Sequence, residues 1–124
     1  MSAYLKNTEE DYLRAILEIH IKKGYCRCLD IANHLSVSKP SVTNIVKVME
    51  RNSHIYRDDG MIFLTDTGKK IAETSLNKYN FFVKFFQGIG ISKEVSINDA
   101  CSIIRCMSDE SYQRITEWYN EIQY

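Results

Sequence analysis

From Cys28 to Ile45 the chain reads CLDIANHLSVSKPSVTNI, and the spacing of its apolar residues admits very few folds. Ile31 and Leu35 fall one turn apart on a short helix, where Ala32 is small enough for a second helix to cross closely. Ser36 and Val37 make a turn, and Val37 fills the gap between the two helices. Val42 and Ile45, continued by Val46 and Met49, form the inner stripe of the second helix. Ser38 is placed to cap that helix, and Pro40 falls in its first turn, where a missing N–H costs nothing. This is the spacing of a helix-turn-helix. It leaves Lys39, Ser41, Thr43, Asn44 and Lys47 outward, short polar and basic side chains of the kind that reach base edges and phosphates in a major groove.

The segment that follows completes the pattern. His54-Ile55-Tyr56-Arg57 and Met61-Ile62-Phe63-Leu64 read as two short strands, and Asp58-Asp59-Gly60 as the tight hairpin between them. A helix-turn-helix followed by a hairpin is a winged helix. Its wing is acidic at the tip, so Asp58 and Asp59 are expected to stay off a phosphate backbone.

Periodicity organises the remainder into helices. Glu9 to about Lys23 places Tyr12, Leu13, Ile16, Leu17 and Ile19 inward and Arg14, Glu18 and Lys22 outward, and Gly24 ends it. Thr65 caps a long helix that starts near residue 66 and reaches about Gln87, where Gly88-Ile89-Gly90 breaks it. Two more helices are predicted, about Val95 to Met107 and Asp109 to Gln123. The fold expected is mainly α: a winged helix-turn-helix over residues 1–70, then a helical dimerisation domain over 71–124. Phe81, Phe82, Phe85 and Phe86 cover a broad helix face, followed by Tyr112, Trp118, Tyr119 and Tyr124. A subunit of this size can hardly bury them all, which favours a dimer interface over a well-filled core.

Charge and composition agree with a small regulator. With 124 residues, 16 basic and 16 acidic, the net charge is zero and long-range steering to nucleic acid is weak. The local balance differs: Lys39, Lys47, Arg51 and Arg57 oppose Glu50 alone, a modest basic face suited to specific binding as a dimer. No signal peptide or apolar span of membrane length is visible, so a cytoplasmic location, no membrane partner and reduced cysteines are expected. No Ser-His, His-Cys or carboxylate constellation points to an enzyme.

Four stretches resemble the metal-dependent repressors typified by the diphtheria toxin repressor and the manganese transport regulator. They are TEEDYLRAILEI (Thr8 to Ile19), DIANHLSVSKPSVTNIVKVMER (Asp30 to Arg51), LTDTGKKIA (Leu64 to Ala72) and NDACSIIRCMSDE (Asn98 to Glu110). The resemblance implies a homodimer on a palindromic double-stranded operator, and an end after the dimerisation helices as in the two-domain manganese branch. It also implies a manganese or iron site between the first helix, the long helix and the helix after it. Asp11 keeps the first ligand position, but the next on that helix is Arg14 and the long-helix histidine position is Tyr79. The remaining three positions read Cys101, Ile104 and Arg105. Cys101 matches a cysteine of the iron branch, Ile104 offers no lone pair, and Arg105 brings a fixed positive charge. His20, His34 and His54 lie at none of these positions. A dication needs several converging donors, so the site reads as lost and no metal cofactor is expected.

Asp11 has a structural reading too, as the acidic residue of a capping box with Thr8. Cys26 and Cys28 make a C-x-C, a weak metal signal, and Cys28 serves equally as the first inward residue of its helix. Cys106 follows Cys101 by five residues, so the two thiols point apart on one helix. The reading that results is a repressor-like DNA-binding regulator. Ser38, Pro40, Ser41 and Asn44 are assigned to base-proximal contacts, and Lys39, Lys47 and Arg51 to phosphates. Two alternatives stand beside it: a winged-helix protein-interaction module that no longer binds DNA, and a regulator with a relocated metal or thiol site.

Overall fold

A computed structural model describes residues 7–122; Gln123 and Tyr124, at the predicted end of the last helix, lie outside them. Six helices and one hairpin follow in the order α1 (Glu9–Lys23), α2 (Cys28–Leu35), α3 (Lys39–Arg51), β1 (Ile55–Asp58), β2 (Met61–Leu64), α4 (Asp66–Gly88), α5 (Lys93–Cys106) and α6 (Asp109–Ile122). They form two compact units that divide within α4, between Leu76 and Asn77. The helix itself crosses residues 70 and 71, the expected domain boundary, without a break.

The N-terminal unit starts from its caps. Thr8 accepts the Asp11 N–H while the Asp11 carboxylate accepts the Thr8 N–H at 2.7 Å, a reciprocal capping box that starts α1. Gly24, at φ 81°, closes the helix by donating to the His20 carbonyl. Ser36 takes the left-handed conformation after α2, at φ 55°, and Val37 N–H returns to the Ala32 carbonyl at 3.0 Å. That is the turn of the helix-turn-helix. Ser38 then caps α3 through the Ser41 N–H, with Lys39 and Pro40 in the first turn.

The core of this unit collects Leu13, Ile16 and Ile19 from α1, Ile31 from α2, and Val42, Val46 and Met49 from α3. Ile55 and Ile62, one from each strand, close it from the hairpin. Asp58 pairs with Met61, one residue later than the sequence pattern placed the strand's end. The turn is therefore Asp59-Gly60 alone, both at positive φ, the geometry whose twist matches paired strands. Thr65 caps α4 by accepting the Gly68 N–H and donating to the Ser53 carbonyl. Gly68 packs directly on the His54 carbonyl; an added Cβ would sit 1.9 Å from that oxygen.

The second unit contains α4 from Asn77 onward, α5 and α6. Its α5 starts at Lys93, two residues before the expected Val95, because Ser92 accepts the Val95 N–H as a cap. Phe82, Ala100 and Ile104 are its buried apolar centre. Phe81 makes edge contacts with Phe82, Tyr112 and Tyr119 at 5.0, 6.0 and 5.4 Å between ring centres. Lys78 is held against this cluster by the Asp109 carboxylate and the Tyr112 ring. No helix among the described residues is long and apolar enough to cross a membrane.

Candidate nucleic-acid interface

Burial of Val42, Val46 and Met49 orients α3 and turns its opposite face to solvent. Lys39, Pro40, Ser41, Thr43, Asn44, Lys47 and Arg51 are all exposed, as is the cap residue Ser38. Ser38 and Ser41 share a hydroxyl hydrogen bond at 2.9 Å, which orders the helix start while leaving both oxygens at the surface. Thr43 is less available, since its hydroxyl donates back to the Lys39 carbonyl at 3.0 Å. Asn44 has no such tie among the described residues. Lys39, Lys47 and Arg51 make no ion pair among the described residues, so their charge is directed to solvent.

The fourth cation of the basic stretch is different. Arg57 donates to both oxygens of Glu50, at 2.8 and 3.4 Å, and this bridge holds the Glu50 carboxyl below its usual pKa. Arg57 and Glu50 thus cancel locally, and Lys39, Lys47 and Arg51 carry the positive face. Asp58 and Asp59 are exposed at the end of the hairpin.

The positions that resemble metal ligands divide between the units, Asp11 and Arg14 in the first, Tyr79, Cys101, Ile104 and Arg105 in the second. Arg14 corrects the sequence reading. Expected to point outward, it is 5% exposed. Its Nη2 donates to Asp11 Oδ1 at 3.1 Å and its Nη1 to Ser75 Oγ, on α4, at 2.9 Å. Both Asp11 oxygens therefore accept hydrogen bonds, Oδ1 from Arg14 and Oδ2 from Thr8. A fixed guanidinium charge thus stands 3.1 Å from the Asp11 carboxylate. Ser75 was missed by sequence reasoning. It lies 61 residues from Arg14, and no local pattern marks it.

In the second unit Ile104 is buried in the apolar centre, where it packs rather than coordinates. Tyr79, Cys101 and Arg105 are half-buried. Among the described residues no three His, Cys, Asp or Glu side chains gather as a metal-binding group. The histidines have local roles: His20 bonds to the Ile62 carbonyl, His54 to Glu9, and His34 faces Glu18. Cys26 is fully buried, and burial pushes its thiol up to about 12, so it is a small apolar residue and not a reactive one. Cys28 packs half-buried on the same core, as expected for the first inward residue of α2.

Residues 4–56 match the family described as iron dependent repressor, N-terminal DNA binding domain. The T. acidophilum IdeR structure is 31% identical, with a TM-score of 0.80 over 93% of this chain and 55% of that one. The manganese regulator SloR shares the fold at 23% identity, with a TM-score of 0.82 over 94% of this chain and 55% of that one. A manganese-dependent transcriptional repressor in complex with manganese does so at 18% identity and 0.73, over 87% of this chain and 50% of that one. The chain spans about half the length of these solved relatives. The matched segment and the 31% relative place the N-terminal part of this chain with the iron dependent repressor DNA-binding domains, and the whole chain shares the fold of these longer structures.

Proposed function

We propose that this chain is a sequence-specific DNA-binding transcriptional regulator, repressor-like and non-enzymatic, acting in the cytoplasm as a homodimer on double-stranded operator DNA. The observation that carries the reading is the solvent face of α3. Its capped N-terminus presents Ser38, Pro40, Ser41 and Asn44 toward base edges, and Lys39, Lys47 and Arg51 flank them for phosphates. DNA binding in this reading does not depend on manganese, iron or zinc. Support comes from the guanidinium bonded to Asp11 and from the burial of Ile104 in an apolar centre.

Gel shifts with the chain's own upstream region test both parts. Asn44→Ala is expected to lower specific affinity by about 1–3 kcal/mol and leave non-specific binding nearly intact. Lys47→Ala weakens both and reduces the log–log salt slope by about one. Unchanged operator affinity in the double variant would refute this face. Affinity in chelator is expected to equal affinity in added metal; a gain of about tenfold, some 1.4 kcal/mol, would overturn metal independence.

A second reading, a winged helix that binds a protein instead of DNA, is favoured by the exposed Asp58 and Asp59 and by the Arg57–Glu50 pair that removes one cation. It requires that no DNA be bound even at low salt, where phosphate attraction is strongest.

A further inference from the structure

We propose that the Arg14 guanidinium is a built-in cation that ties α1 to α4, taking in the N-terminal unit the place a dication would need beside Asp11. This deepens the metal-independent reading and names the residue responsible. The Asp11 side chain is 2% exposed, and a carboxylate so buried requires a counter-charge. It has one, donated from the same helix face three residues on. The guanidinium then uses its second arm on Ser75 Oγ, in the part of α4 that belongs to the same unit. Thr8 N and Oγ1 fill the other carboxylate oxygen at 2.7 and 3.2 Å, and Glu18 stands 3.8 Å from Arg14 Nε at the outer side.

The fork shape of the side chain matters as much as its charge. One planar group reaches a carboxylate and a hydroxyl in two directions at once, which a metal ion also does and a lysine ammonium does less well. Carboxylate, backbone cap and α4 hydroxyl are thereby joined through one permanent cation.

Thermal unfolding of the full chain in chelator and in millimolar manganese chloride tests this. The unmodified protein is expected to melt at one temperature in both, within about 1 °C. Arg14→Glu places a second carboxylate beside Asp11; its melting temperature should fall by about 10 °C in chelator and recover by several degrees in manganese. Arg14→Lys, which keeps the charge but not the fork, should fall less and ignore manganese. If Arg14→Glu does not fold, Ser75→Ala carries the test: it keeps the Asp11 pair, loses the tie to α4, and should melt about 4–8 °C lower in either condition. The proposal is overturned if the unmodified chain gains several degrees from manganese, or if Ser75→Ala or Arg14→Glu melts like the unmodified chain in chelator. Melting does not read DNA binding, so a failed gel shift and a failed strap are separate results.

Discussion

Ile16, Ile31, Val42, Val46, Met49 and Ile62 fill the N-terminal unit with side chains that are wholly buried. The second unit is filled differently. Phe82 is buried there, but Phe81, Phe85, Phe86 and Tyr119 are only half-buried, and Trp118 and Ile122 are 59% and 54% exposed. Many of its rings pack on one another, and most of them stay partly exposed. The first unit closes its core completely, although Ile21, Tyr25, Leu29 and Tyr56 stay exposed on its surface. The second leaves apolar surface of the kind that a second copy covers in the proposed homodimer.

The largest effect that separates the units is expected at Gly68. Gly68→Ala drives a methyl group into the His54 carbonyl, a backbone atom that cannot swing aside. A loss of about 3 kcal/mol or more is expected, read by denaturant unfolding. Next comes a matched pair. Met49→Ala should cost about 2–5 kcal/mol in folding stability at any protein concentration, because the site is closed. Trp118→Ala should cost the isolated chain less than about 1 kcal/mol, since its ring is mostly in water, and should act on association in sedimentation. Equal, concentration-independent losses would break the contrast.

A smaller effect lies in the turns. Ser36 holds φ 55° with a side chain, whereas the second unit uses Gly90 at φ 97° after α4. Ser36→Gly is expected to stabilise by about 0.5 kcal/mol and Gly90→Ala to destabilise by about 1 kcal/mol, both from chemical denaturation.

The smallest effect is shared. Each unit has a carboxyl held below its ordinary pKa by a lysine, Asp30 by Lys23 and Asp109 by Lys78. A lowered folded-state pKa contributes stability that is present above the unfolded value, about 3.9, and is lost as pH falls through the folded value. Asp30→Asn should therefore flatten the acid side of the stability profile below about pH 4 and change little at neutral pH. A profile unaltered below that pH would remove the link.

Much of the N-terminal unit was legible because its signals are local. Ser38 with Pro40, Thr8 with Asp11 and Asp59 with Gly60 act over two to four residues, and the apolar stripe of α3 repeats at helical spacing. Outward orientation of Asn44 and Lys47 follows from the same stripe. Arg14 shows where such reasoning stops. Periodicity puts a charged residue in solvent by default, whereas here Asp11 on the same helix face and Ser75, 61 residues away, both bond the buried guanidinium. The aromatic run on α4 predicted a crowded face but not which rings α6 would cover, because that depends on how two helices cross.

Sequence by itself determined the helix-turn-helix, the hairpin and the caps. These are matters of residue type and short spacing, governed by backbone geometry and hydrogen bonds to near neighbours. Tertiary structure alone decided that Arg14 is buried on Asp11 and Ser75, that Arg57 is neutralised by Glu50, and that Phe82 is covered while Trp118 is not. Charge pairing and burial depend on distance in space, which chain position does not reveal until the helices have packed.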